Sequence, residues 1–281
     1  MKMNNFERLS LKSIDITDME ELKMDATAYM ESGNEKMGNC DFKNAIADYQ
    51  KAIEIEPDNY VAYYQWGLAQ KNLTVLRELV NDDDSYRNGD FKEIFRKVID
   101  ITSEIIKNNS QDINALMYRG NAKQEIFTYS EAIEDYSMVI EIEPDNHSVY
   151  DKRAMAKQEL NDNLGAIDDY SKAIEKCNGN SYLLEYYLFR GYAKIDINDD
   201  AGAIQDYLKA IDINPDYPIP YTWLGKIYCW RKEYSKAVEY LEMVKIEHWS
   251  ESEFIRQDYS EEEWDELLKF KTNKTTNDNL Y

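Results

Sequence analysis

The chain has 281 residues, 43% of them apolar, with only 10 Gly and 5 Pro. That apolar share suffices for a packed interior and argues against global disorder. Lys and Arg total 33 against 55 Asp and Glu, a net charge of −22. This argues against nucleic acid and against anionic membrane surfaces, since both need clustered basic side chains.

Residues 1–17 contain no unbroken apolar stretch, so no secretory signal is visible, and they read as an irregular segment. Thr17 with Glu20 has capping-box spacing and predicts an extended start to the first helix. From Ala26 onward a pattern of about thirty-four residues recurs. Residues 113–146, INALMYRGNAKQEIFTYSEAIEDYSMVIEIEPDN, align without a gap on 147–180, HSVYDKRAMAKQELNDNLGAIDDYSKAIEKCNGN. The units run 26–59, 60–112, 113–146, 147–180, 184–217 and 218–251. Such a period predicts stacked helical hairpins, none of which can bury its apolar face alone.

Each unit opens with a helix carrying a large residue and, four positions on, a small one: Tyr29/Gly33, Tyr63/Gly67, Leu116/Gly120, Tyr150/Ala154, Tyr187/Gly191 and Tyr221/Gly225. A second helix carries a small–aromatic–small trio on one face, as in Ala45, Tyr49, Ala52, in Ala166, Tyr170, Ala173 and in Ala203, Tyr207, Ala210. Small residues admit a close helix approach and the ring fills the space between hairpins. Pro57, Pro144 and Pro215 end second helices, and Asp58-Asn59 and Asp145-Asn146 are placed to cap the next ones. The second unit carries an insertion over about 73–96. Its TVLRELV stretch reads as a helical extension and NDDDSYRNGD as an exposed turn cluster. Its second helix is expected over Val98–Asn109, with Thr102 in the aromatic slot. The sixth unit ends in Trp249 where others have Pro, which lets its last helix run on.

Beyond residue 251, Ser250 with Glu253 and Ser260 with Glu263 mark two helix starts. Trp264, Leu267 and Leu268 form an apolar stripe, as a helix covering the open end of a stack requires. The segment 252–270 is therefore expected to cap the stack, and 271–281 to be a flexible tail.

Repetition also exposes a pairing. Arg119, Arg153 and Arg190 precede the small slot in units three to five, where Asp135, Asp169 and Asp206 precede the buried aromatic. Unit two has Trp66 and Ile101 at these places, and unit six has Leu224 and Tyr240. Both partners change from charged to apolar together, while unit one keeps Asp48 opposite Ser32. A partly buried, bidentate ion pair between the two helices of units three to five is expected.

Sites of chemistry are not evident. His147 and His248 lie in different units, and Cys40, Cys177 and Cys229 are odd in number and dispersed. That cysteine usage points to a reducing, cytoplasmic compartment. No HExxH, CxxC, GxSxG or phosphate-binding glycine loop occurs. Asp82-Asp83-Asp84 and Asp196–Asp200 lack the glycine and glutamate of a calcium loop and read as turn and cap chemistry. No enzyme, no metal and no cofactor is expected.

The large/small and small–aromatic–small slots, closed by Pro, resemble the tetratricopeptide repeat (TPR) over residues 26–251. The resemblance implies an all-α, right-handed superhelical solenoid of about six helix pairs, completed by the C-terminal capping helix. It further implies a concave groove, lined by the first helices, that grips a peptide or helix of a partner protein. Carried onto this chain, the groove residues are Met30, Asn34, Tyr64, Leu68, Met117, Tyr118, Asn121, Asp151, Met155, Leu188, Phe189, Tyr192, Trp223, Lys226 and Trp230. Some of these aromatics could equally pack against neighbouring helices. TPR domains that clamp acidic chaperone tails use Lys, Asn and Arg where this chain has Met30, Asn34, Gln65, Asn114 and Tyr118. Only Asn34 matches, so a partner with apolar anchors and some basic residues fits better. The expected function is a non-enzymatic interaction scaffold. The alternatives are a structural subunit that self-associates through its end repeats and C-terminal helix, and a C-terminal helix that folds back into the groove.

Overall fold

The computed structural model describes residues 25–81, 91–244, 256 and 259–278. The N-terminal segment with its Thr17 cap, the Asp82–Asp84 cluster, Trp249 and the Ser250 cap lie outside them. The described residues form thirteen helices and no strand. Two compact units divide the chain, Met1–Phe127 and Thr128–Tyr281.

The first unit holds α1 (Ala26–Gly38), α2 (Phe42–Ile55), α3 (Tyr60–Asn81), α4 (Phe91–Asn108) and α5 (Ile113–Glu125). Each helix packs on its sequence neighbours, and α3 also touches α1 and α5. The second unit holds α6 (Tyr129–Ile142), α7 (His147–Glu159), α8 (Asn163–Lys176), α9 (Asn180–Asp196), α10 (Asp200–Ile213), α11 (Pro218–Trp230), α12 (Tyr234–Glu242) and α13 (Glu261–Asp278). Its helices pack in the same serial way.

Glycine lets the paired helices close. A Cβ at Gly33 would stand 2.5 Å from the Tyr49 ring, and one at Gly191 would stand 2.7 Å from the Tyr207 ring. Tyr49, Tyr136, Tyr170 and Tyr207 are fully buried. The hairpin turns share a second device: Cys40, Phe127, Asn161, Asn198 and Lys232 all adopt left-handed backbone, with φ between 58° and 69°. Asn tolerates that region best among residues with a side chain. Tyr150 and Tyr221 donate to the carbonyls of Pro144 and Pro215 at 3.1 and 3.0 Å, tying each first helix to the turn before it. Asn59 caps α3 through Ala62 N–H at 2.9 Å. Asn146 does not cap α7; its amide donates to Glu143 instead.

The second repeat departs from the expected layout. α4 begins at Phe91, well before Val98, because Phe91, Ile94, Phe95 and Val98 already form a helical apolar stripe. Phe95, two turns ahead of Thr102, supplies the ring that lies over Gly67, at 2.8 Å from where a Cβ would stand. Thr102 is buried and returns its hydroxyl to the Val98 carbonyl at 2.6 Å. α3 runs through TVLRELV, so the inserted sequence largely lengthens the two helices on either side.

The C-terminal helix covers the last hairpin. Ser260 and Glu263 form a reciprocal cap, with the Ser260 N–H donating to Glu263 at 2.9 Å and the Glu263 N–H to Ser260 Oγ at 3.3 Å. Trp264 and Leu267 complete a cluster with Tyr221, Cys229, Val238, Leu241 and Tyr259. Contrary to the flexible tail expected for 271–281, α13 continues to Asp278. No Gly or Pro follows Ser260 to stop it.

The ion pairs of the fourth and fifth repeats are present and bidentate. Arg153 donates to both Asp169 oxygens at 2.8 and 2.6 Å, and Arg190 to both Asp206 oxygens at 3.0 and 2.6 Å. The carboxylates are almost wholly buried, at 5% and 3% side-chain exposure. Each also takes a lysine one turn further along the first helix, Lys157 and Lys194, at 2.7 Å. In the first repeat Asp48 bonds Lys36 and accepts from Ser32 at 2.6 Å, so the lysine stays where the arginine is missing. The arginine's remaining arm reaches the preceding repeat: Arg153 donates to Ser137 at 3.0 Å and Arg190 to Ser171 at 2.9 Å.

Two outcomes follow from this packing. Asp169→Leu strands Arg153 and Lys157 and is expected to cost about 3–5 kcal/mol. Arg153→Leu leaves Asp169 on Lys157 and costs less, about 1–2 kcal/mol; urea unfolding measures the order, and equal costs would mean Lys157 does not share the carboxylate. Trp264→Ala should uncover the final hairpin. Cys229 is 1% exposed, and burial, reinforced by Glu263, pushes its thiol up to about 12, so it stays inert to a disulfide reagent in the parent chain. In the variant Cys229 should react, beside the exposed Cys40 that reacts in both; a silent Cys229 would mean α13 is not its cover.

Candidate partner-binding face

In the first unit the expected groove residues are largely committed to packing. Tyr64 meets Phe95 and Tyr118 edge-on, at centroid distances of 5.5 and 5.3 Å. Leu68 and Tyr118 join the same cluster around Phe95. Met30 packs on the alanines of α1 and α2, and Asn34 accepts the Tyr49 hydroxyl at 2.9 Å. Burial raises the Tyr64 and Tyr118 hydroxyls above their ordinary value, the former strongly. Met117 and Asn121 on α5 are half-buried. These aromatics therefore follow the packing alternative open in the sequence.

In the second unit, α7, α9 and α11 present a face with more surface left over. Phe189 stacks on Tyr170 at 6.0 Å and meets Tyr192 at 6.1 Å. Tyr192 lies 5.1 Å from Trp223, and Trp223 stacks on the buried Tyr207 at 6.2 Å. The outcome is a continuous aromatic wall across α9 and α11. Met155 on α7 and Trp230 on α11 stand 37% and 41% exposed. Lys226 lies over both Trp223 and Trp230, at 4.9 and 5.6 Å. Leu188 is a correction: at 3% exposure it belongs to the core around Tyr207 and Leu224 and cannot meet a ligand. It sits next to Phe189 in sequence, and the helical turn points the two side chains to different sides.

Comparison with known proteins names the repeats. Residues 26–59 match the tetratricopeptide repeat profile, and residues 191–229 match a second TPR repeat profile. The chain carries tetratricopeptide repeats. Among solved structures it resembles pilF of Pseudomonas aeruginosa, at 15% identity over 88% of this chain and 97% of that one, with a TM-score of 0.55. It also resembles a tetratricopeptide repeat protein from Parabacteroides merdae, at 16% identity over 87% and 98% with a TM-score of 0.54. MamA shares 22% identity over 57% and 91%, with a TM-score of 0.51. These likenesses speak for the fold alone. No curated protein matches the chain in sequence.

Within these TPR units, one group was missed in the sequence, and another, named there as a groove residue, has a setting the sequence did not reveal. His147, a plain helix-start residue by sequence, is half-buried and shares a 2.7 Å hydrogen bond with the Tyr186 hydroxyl. Its ring also meets Tyr182 at 5.5 Å. Tyr182 is available because α9 begins at Asn180, ahead of the expected repeat start at 184. The second group is Asp151. Its Oδ1 is buried with no hydrogen-bond partner. Burial pushes the Asp151 carboxyl up to about 6; Lys152 opposes this and Glu185 adds to it. Tyr192 is pushed up to about 12 by burial, offset in part by a hydrogen bond with Trp223.

A carboxyl whose folded value lies above its unfolded one weakens the fold once it ionises. The penalty is absent below about pH 4, grows between there and about pH 6, and is complete at pH 7. Asp151→Asn should therefore raise stability at pH 7 by about 1–3 kcal/mol, with the gain vanishing near pH 4. Chemical unfolding at the two pH values checks this; equal effects at both would mean Asp151 carries no ionisation strain.

Proposed function

We propose that this protein is a non-enzymatic scaffold that binds a peptide or helix of another protein across the first helices of its repeats, chiefly on the α7–α9–α11 face. The supporting observation is the aromatic wall from Tyr170 through Phe189 and Tyr192 to Trp223, together with the exposed Met155 and Trp230. Tyr and Trp anchor partners at low entropic cost, and Met adapts to varied surfaces. The partner we expect combines apolar anchors with basic residues. The chain's net charge of −22 and the absence of the basic clamp for acidic tails support that preference.

Self-association through the C-terminal end has less support. α13 uses Trp264 and Leu267 on its own chain, and Phe270, 41% exposed, also meets the Tyr234 ring at 5.5 Å. The same packing argues against α13 as an occupant of the groove.

Affinity capture from lysate tests the proposal, with the parent chain beside Met155→Glu/Trp230→Glu. Both sites are exposed, so folding should be retained, and partner recovery should fall about tenfold or more. Equal recovery of the same proteins by both chains would remove this face from the proposal.

A further inference from the structure

We infer that Asp151 forms a cation subsite on the α7–α9–α11 face, taking a lysine or arginine side chain of an extended partner segment. The inference rests on that face being the partner-binding surface. Three observations carry it. First, Asp151 differs from the buried acids of the repeats around it. Asp169 and Asp206 each hold an arginine and a lysine, whereas Asp151 keeps Oδ1 buried with no partner. A buried acceptor left unbonded is costly, so a donor arriving there recovers more than it would on a hydrated carboxylate. Second, the groups facing Asp151 favour a cation. Glu185 on α9 is exposed and adds negative potential, Tyr170 and Tyr186 supply neutral phenols, and Tyr186 is itself bonded to His147. Lys152, its sequence neighbour, is the opposing cation and makes no bond that satisfies Oδ1.

Third, helical spacing sets an apolar rung beside the acidic one. Met155 follows Asp151 by four residues on α7, and Phe189 follows Glu185 by four on α9, so each pair shares a helix face. A lysine or arginine stem is itself apolar for three or four methylenes and ends in charge. It fits a site whose one rung is Met155 and Phe189 and whose next is Asp151 and Glu185. The occupant is thus a basic residue flanked by apolar ones.

The test uses the full-length chain and four pools of acetylated, amidated heptapeptides. Each pool fixes the central position as lysine, arginine, norleucine or glutamate, and draws the flanks from apolar and aromatic residues. Fluorescence polarisation should show the lysine and arginine pools binding about tenfold tighter than norleucine, with glutamate weakest. Asp151→Asn, its fold checked by circular dichroism, should bring lysine and norleucine within about twofold of each other. The carboxyl must be ionised to hold the cation, so the lysine preference of the parent chain should fade below about pH 6, while the variant's stays flat. Equal binding of lysine and norleucine pools by the parent chain overturns the subsite and leaves the face standing. Binding of no pool overturns both.

Discussion

A bulky side chain of the second helix laid on a small residue of the first sets the distance between the two helices of a hairpin, and the rest of each unit depends on that distance. Gly33 beneath Tyr49 and Gly191 beneath Tyr207 leave no room for a methyl group. The close approach puts arginine and lysine of the first helix within reach of a carboxylate on the second, so that Asp169 and Asp206 are held from two sides. It also turns the outer side of the first helices into a surface, because their inner side is filled. Where the ring is displaced, as in the second repeat, the chain restores the contact with Phe95 from elsewhere on the longer helix. What is kept is a large side chain over a small residue, Tyr170 with Ala154 in the fourth repeat and Leu241 over Gly225 in the sixth, and the slot in sequence is secondary.

Much of this was legible because repetition lets one residue be compared with its counterparts. The slots from Tyr29/Gly33 to Tyr221/Gly225 and the Arg153–Asp169 pair were visible as columns. The lysine four residues after each arginine was also a column, present as Lys123, Lys157 and Lys194 and kept as Lys36 in the first repeat where Ser32 replaces the arginine, and the serines of the preceding repeat were another. Ser137 and Ser171 stand before arginines, while Leu208 stands before Leu224. What escaped were features outside the columns. The early start of α4 hung on Phe91 and Ile94 inside an insertion that has no counterpart. Leu188 and Phe189 are both large and apolar, and only the exact helix phase separates core from surface. The orphaned oxygen of Asp151 depends on what surrounds it from α9, which no single position reveals.

The proposed binding face and the framework treat charge in opposite ways. Framework carboxylates are buried with counter-charges in place and take part in one arrangement. Asp151 is held in a half-buried position with Oδ1 unbonded, at a cost to the folded state. The aromatic wall shows a milder version: Trp223 and Phe189 divide their rings between the core and the outside, so they support the fold and remain available.

The arginine that spans its own hairpin and the serine of the one before acts as a common fastener. Ser137 meets Arg153 and Ser171 meets Arg190 through the same atoms at nearly the same length. Any two middle repeats therefore carry matching ends, one offering a hydroxyl and the other a guanidinium. A lineage could lose or duplicate such a unit and re-form the join at once, changing the reach of the scaffold without inventing a new contact. The first, second and sixth repeats, with Ser32, Trp66 and Leu224 in place of the arginine, lack that fitting. Growth and loss are thereby confined to the middle of the array.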